Sequence, residues 1–115
     1  MIGSTFLTYD GGKISLKNGD PSSYAIIIGA DGNGILKNLE IDTLTDNPGE
    51  YRVRVGIAIS GNAAIYNSII KGTEAVRMEN GSFRGANLQL EGIISGYGGN
   101  YKCFNCFNAI FDAIP

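Results

Sequence analysis

The stretch that decides the fold is residues 56–70, GIAISGNAAIYNSII, in which a short apolar run, a Gly-Asn turn and an apolar-x-Asn phrase follow one another. Related phrases occupy residues 25–41, 75–90 and 92–110. A repeat of roughly 20 residues is too short for a pair of helices and is typical of one coil of a β-solenoid. The short β-type runs between Gly- and Asn-rich turns agree with this, so the sequence predicts an all-β protein.

Two series of asparagines mark the repeat, and they consist of Asn33, Asn62, Asn80 and Asn100 and of Asn38, Asn67, Asn87 and Asn105. The second series advances by 29, 20 and 18 residues, and an insertion at 45–54 explains the long first step. Asparagine tolerates the left-handed conformation that a corner requires, and stacked amides can hydrogen-bond along an axis. We therefore expect the second series to form a buried structural ladder.

The repeat also divides the chain into three parts. Residues 1–24 fit the pattern least and are predicted to be an N-terminal cap or a degenerate coil, with a hairpin around Asp10-Gly11-Gly12. Residues 25–110 are predicted to form about four to five coils, with the 45–54 insertion projecting from one face. Residues 111–115 are predicted to be a C-terminal cap over the last coil.

Composition excludes several kinds of chemistry. The 115 residues suffice for one domain, and they include no His, which excludes Ser-His-Asp and Cys-His catalysis and zinc sites that need imidazole. Cys103 and Cys106 form one CxxC pair, which we expect to be unreactive packing cysteines, with metal and disulfide roles left open. No cofactor and no metal are expected.

Charge and hydropathy bear on partners. Nine Lys and Arg residues oppose eleven Asp and Glu residues, and the basic residues are spread singly, which disfavours nucleic acid as a partner. No run of about 18 apolar residues predicts a membrane span. The first residues lack a basic and then apolar leader, so we expect no signal peptide.

The apolar-x-Asn-x-x-apolar phrase at about 20-residue steps resembles right-handed parallel β-helices of the pectate-lyase-like superfamily. Asn38, Asn67 and Asn105 match the ladder position, and Asn87 matches after a shift of two residues. The resemblance covers about residues 25–110 and implies a short right-handed parallel β-helix. The superfamily includes polysaccharide lyases and hydrolases, bacteriophage tail spikes and appendages, and fibre modules. A small chain without a signal peptide looks most like a phage tail or appendage protein, or a module of one. Bactofilins are also similar in length and period, although they generally lack a long side loop.

An enzyme of this superfamily would place acidic or basic side chains in a groove across adjacent coils. Glu40 and Asp42 lie at i and i+2 on one predicted strand face, and Glu91 lies two coils away. The Cα atoms of Glu40 and Asp42 would lie ~6.6–6.8 Å apart, which suits paired catalytic carboxylates. The same residues are equally expected on an outward face that is exposed to solvent. About four coils would span only ~20 Å, which is a short groove for a polymer, so we assign no catalytic residue.

Aromatic and basic residues offer a binding surface instead, since aromatic rings stack on sugars and anchor interfaces. The candidate ligand- or receptor-binding residues are Tyr51, Arg52, Arg54, Tyr97 and Tyr101. The expected function is a non-enzymatic structural or receptor-binding module of a phage-like appendage that contacts cell-surface polysaccharide. It would be a homo-oligomer, a trimer by analogy, in the virion or released by lysis. The alternatives are a carbohydrate-active enzyme fragment and a self-polymerising, bactofilin-like scaffold in the cytoplasm.

Overall fold

The strands of this protein pair with segments about one repeat away along the chain. The computed structural model describes residues 6–17, 24–46, 54–108 and 110–113, and its strands are β1 (Phe6–Lys17), β2 (Tyr24–Ile28), β3 (Asn33–Asp46), β4 (Val55–Ile59), β5 (Asn62–Glu79), β6 (Ser82–Tyr97), β7 (Asn100–Phe107) and β8 (Phe111–Ala113). All pairings among them are parallel, and they join the strands into one curled sheet. The prediction of an all-β protein with parallel strands is confirmed.

The sheet curls because its longest strands change partner part-way along. Residues 62–71 of β5 pair with β3, whereas residues 74–78 pair with β4. Strand β6 follows β5 through both parts, with a shift of register between Lys71 and Val76. The first parts of the long strands therefore form one face, and the last parts form a second face at an angle to it.

The core lies on the inner side of this curl and is built from rows of aliphatic side chains. In each row, buried residues of neighbouring strands stack on one another in register, as in Ile41, Ile70 and Leu90, or Ile57, Val76 and Ile94. Branched side chains pack well on a pleated surface of this kind. The rows of buried side chains extend as far as β6, whereas Asn108, which follows β7, is exposed and has a φ of 60°.

The N-terminal segment differs from its prediction. Strand β1 runs without reversal through Asp10-Gly11-Gly12 and pairs with β3 on both sides of them, so the predicted hairpin is wrong. Gly11 and Gly12 have φ values of 82° and 117°, and Gly11 aligns with Asn38, which forms the corresponding corner of β3 with a φ of 57°. The two glycines therefore turn a corner between two parts of one strand.

The other predicted boundaries are described in part. The insertion at 45–54 lies mainly outside the described residues, between the end of β3 and the start of β4. Within the predicted C-terminal cap, Phe111–Ala113 forms β8, which adds to β6 as a further parallel strand. The segment therefore continues the second face of the sheet.

Candidate binding face

The first parts of β3, β5, β6 and β7 lie in register and form a regular outer surface, which we call the front face. It carries two outward-facing rows between two lines of polar corner residues. In register, these rows are Ile35, Ala64, Arg84 and Lys102, and Lys37, Tyr66, Ala86 and Phe104. The front face thus combines aromatic, aliphatic and cationic side chains.

One edge of the front face is formed by the asparagine ladder, Asn38, Asn67, Asn87 and Asn105. All four have positive φ values, between 51° and 57°, which confirms the predicted corner conformation. Asn87 donates to the side-chain oxygen of Asn67 at 3.0 Å and accepts a hydrogen bond from Asn105 at 2.7 Å. Asn38 instead donates to Asp10 of β1 at 2.8 Å. The ladder is exposed rather than buried as predicted, because the positive φ turns each amide outward at the corner.

The opposite edge is formed by Asn33, Asn62, Ser82 and Asn100, which lie in register on β3, β5, β6 and β7. Ser82 donates to the side-chain oxygen of Asn62 at 2.8 Å. The sequence prediction had placed Asn80 in this line, and that assignment is wrong. With Ser82 in its place, every copy has the same five-residue spacing between its two corners.

A shallow groove of about 420 Å³ crosses the front face from strand to strand. Its floor is made by Ile35, Ala64, Tyr66 and Arg84, and its edge by Asn33, Asn62 and Ser82. Amide and hydroxyl groups can exchange hydrogen bonds with the hydroxyl groups of a sugar, and a tyrosine ring can lie against its apolar face. The groove therefore places hydrogen-bonding side chains beside an aromatic ring.

The weak catalytic candidates do not come together on this face. Glu40 lies beyond the asparagine ladder, 3.9 Å from the ammonium group of Lys13. Glu91 lies 3.4 Å from Lys71, and Asp42 occupies the same row with only 8% of its surface exposed. In the part of the chain that the structure describes, no group of three acidic, cysteine or histidine residues is placed to hold a metal ion.

The predicted ligand-binding residues are dispersed. Tyr51 and Arg52 lie outside the described residues, and Arg54 is fully buried (0% exposed), so its side chain is not part of an outer surface. Tyr101 is half-buried and stacks on Phe83 with a centroid separation of 5.3 Å. Tyr97 is 36% exposed, and its ring lies 5.2 Å from the guanidinium of Arg77.

Arg77 belongs to a polar cluster on the second face that sequence reasoning missed. The guanidinium binds both carboxylate oxygens of Glu74, one of them at 3.0 Å, and donates to the hydroxyl of Tyr24 at 3.1 Å. The hydroxyl of Ser95, which is buried and adjacent in register to Arg77, also donates to Glu74. Glu79 lies 3.6 Å from the same guanidinium. The Glu-x-x-Arg spacing is the only local signal, and it does not identify the residues that cover the pair.

The cluster perturbs the ionisation of both of its charged members. Burial by itself would raise the pKa of Glu74, but hydrogen bonds from Arg77 and Ser95, together with the charge of Arg77, lower the pKa of this carboxyl below its ordinary value. The hydrogen bonds to Glu74 raise the pKa of Arg77. Both groups are thus held in their charged forms, so the cluster is an ion pair rather than a proton-transfer site.

The two cysteines lie on either side of the corner at Asn105 in β7. Cys103 and Cys106 form a disulfide, which corrects the expectation of reduced packing cysteines. Asn105 lies between them with a φ of 54°, and this corner brings two side chains at i and i+3 to one side of the strand. The equivalent inward positions of β6 are Gly85 and Leu88, and a Cβ at Gly85 would lie 3.1 Å from the sulfur of Cys103. Gly85 therefore leaves room for the disulfide.

Reduction of this disulfide is expected to lower the free energy of unfolding by about 2 kcal/mol, because the bridge closes a loop of only a few residues. Thermal unfolding with and without a reductant tests this, with the Cys103→Ser/Cys106→Ser variant as the control that cannot respond. A change well above this value would contradict a role confined to the last turn.

Comparison with known proteins gives no relative from which to assign a function. No protein-family model matches the chain, and no curated protein or solved structure matches it. Within the described ranges, no helix is long and apolar enough to span a membrane. The front face, the polar cluster and the disulfide turn are therefore the features of the chain that bear on its function.

Proposed function

We propose that this chain is a short right-handed parallel β-helix of about four to five coils that acts as a non-enzymatic structural or receptor-binding module. The proposed ligand is a cell-surface polysaccharide lying across the strands of the front face. The observation that carries the proposal is the groove, which is bordered by the amide and hydroxyl groups of Asn33, Asn62 and Ser82 and has the half-buried Tyr66 on its floor. Stacked strands repeat these groups every ~4.8 Å, which suits a ligand that is itself a repeating polymer.

The resemblance to pectate-lyase-like β-helices supports the setting in a phage-like tail or appendage, in the virion or outside the cell after lysis. The disulfide between Cys103 and Cys106 is consistent with that location, because disulfides persist mainly in oxidising surroundings. The ion pairs of Glu40 and Glu91 with lysines favour binding over a carboxylate enzyme.

Replacing Tyr66 with alanine is expected to weaken polysaccharide binding by about threefold to tenfold, the effect of losing one aromatic contact. A panel of bacterial surface polysaccharides titrated by calorimetry provides the measurement. Tyr9→Ala is the matched control, since Tyr9 is exposed but lies outside the front face. Equal binding by both variants, or release of cleaved sugar products, would contradict the proposal.

A specific observation favours self-association as a second role. Phe104, Phe107 and Ile110 are 78%, 63% and 62% exposed, and they follow one another along the end of the described sheet. An open strand edge with exposed apolar residues can pair with another chain. Sedimentation velocity distinguishes the outcomes: a discrete trimer agrees with an appendage module, and filaments favour the scaffold alternative.

A further inference from the structure

Two positively charged side chains on the front face lie directly opposite each other on neighbouring strands, and neither faces a carboxylate of the described chain. Arg84 of β6 and Lys102 of β7 are direct partners in register, and both side chains are exposed. Among the described residues neither has a carboxylate within ion-pair distance. Four other cations whose side chains the structure describes do have one, in the pairs Lys13–Glu40, Lys37–Asp10, Lys71–Glu91 and Arg77–Glu74.

This arrangement has an energetic cost in the free protein. Like charges directly opposite each other on neighbouring strands destabilise the pairing. In a row beyond the asparagine ladder, by contrast, Lys71 lies opposite Glu91, so the charge alternates in sign from strand to strand. An anion bound between Arg84 and Lys102 would remove the repulsion, so the pair favours a ligand that brings negative charge.

We propose that Arg84 and Lys102 bind the anionic groups of an acidic polysaccharide, an inference that rests on the proposed function of the front face. The guanidinium can hold a carboxylate or a sulfate through two parallel hydrogen bonds, and the ammonium contributes a second positive charge one strand away. Tyr66 and the exposed ring of Phe104 lie in the adjacent row and offer apolar surface to the sugar rings.

The surroundings favour a polysaccharide over nucleic acid. The chain carries a net charge of −2, and two adjacent cations are a small patch compared with the basic stripe that a phosphate backbone requires. The polar groups on either side, from Ser82 and Asn87, are suited to the hydroxyl groups of sugars. A single-stranded oligonucleotide is therefore the ligand against which the polysaccharides are compared.

The test uses one polymer backbone in three charge states: dextran, carboxymethyl dextran and dextran sulfate. Both anionic forms are expected to bind more tightly than dextran, and the form that binds more tightly identifies the preferred anion. Arg84→Ala/Lys102→Ala is expected to weaken binding of the anionic forms by at least about tenfold. The matched control is Lys13→Ala/Lys71→Ala, which removes the same charge beyond the asparagine ladder and is expected to bind like the wild type.

A second variant separates binding from folding. Arg84→Glu would face Lys102 with the opposite charge, so its melting temperature is expected to rise while binding of the anionic dextrans is lost. Equal binding of all three dextrans would contradict the inference that the polysaccharide is acidic, but it would remain compatible with the proposed function. No binding of the anionic forms at low salt, an equal loss in the control variant, or tighter binding of the oligonucleotide through Arg84 and Lys102 would also overturn the inference.

Discussion

Replacing Glu74 with alanine is expected to lower the free energy of unfolding by about 3–5 kcal/mol, the loss typical of removing one partner from a buried ion pair. The carboxylate of Glu74 is buried and accepts hydrogen bonds from Arg77 and Ser95. Without it, the guanidinium of Arg77 would remain largely buried against Tyr24 and Tyr97 with no carboxylate as close. Chemical denaturation measures the change.

Two controls locate the effect. Glu40→Ala removes an exposed carboxylate from a long ion pair with Lys13 and is expected to change stability by less than about 1 kcal/mol. Glu74→Ala/Arg77→Met removes both charges and is expected to recover much of the loss, because apolar side chains of similar volume can replace a buried pair. If Glu74→Ala/Arg77→Met were instead clearly less stable than Glu74→Ala, the two losses would simply add. The unpaired charge of Arg77 would then not be the cause of the loss of stability in Glu74→Ala.

The same carboxyl predicts a dependence on pH. Its pKa in the folded protein is lowered from the ordinary value of 4.5, so the folded state binds the proton less tightly than the unfolded state. The contribution of the ionised Glu74 to the free energy of unfolding is therefore fully present above about pH 4.5, and it is lost as the pH falls through the lowered pKa. The difference in melting temperature between the wild type and Glu74→Gln should be constant near neutral pH and shrink in acid.

Replacing Asn87 with alanine is expected to cost about 2–3 kcal/mol. Alanine must adopt a φ near 57° at this position, which costs roughly 1–2 kcal/mol. The side chain also links Asn67 to Asn105, and these exposed hydrogen bonds together contribute about 1 kcal/mol.

Glycine separates the two contributions. Asn87→Gly relieves the backbone strain and loses only the side-chain hydrogen bonds, so it is expected to cost about 1 kcal/mol. Asn62→Ala removes one hydrogen-bond partner at a position without a positive φ and should have a similarly small effect. Equal losses for Asn87→Ala and Asn87→Gly would contradict a conformational role for the ladder.

Several features of the fold follow from local physical chemistry and could be predicted. The corner at Asn67 is predictable because asparagine adopts the left-handed region at low cost, and the rows of Ile41 and Ile70 follow from alternation along a strand. The hairpin at Gly11-Gly12 was mispredicted because the same two residues can reverse a strand or turn a corner within it. Local sequence does not distinguish these outcomes, since the difference lies in which strand the second half pairs with.

The candidate site was predicted less well, because it depends on register between copies. Placing Asn80 rather than Ser82 in line with Asn62 obscured the spacing that the copies share. Once the 18-residue step from Asn87 to Asn105 is applied to the whole copy, Lys102 falls beside Arg84. The spacing that places Lys102 beside Arg84 is therefore present in the sequence, but only a correct alignment of the third and fourth copies reveals it.

By itself, the sequence determined the all-β class, the repeat and the corner asparagines, because each depends on the preferences of single residues or on alternation along one strand. The tertiary structure decided which side chains of different strands are in contact. It brought Tyr24 and Tyr97 to the guanidinium of Arg77, joined Cys103 to Cys106 and set Arg84 against Lys102. These contacts depend on how the sheet curls and how far each strand is shifted against the next, and the packing of the whole core sets both.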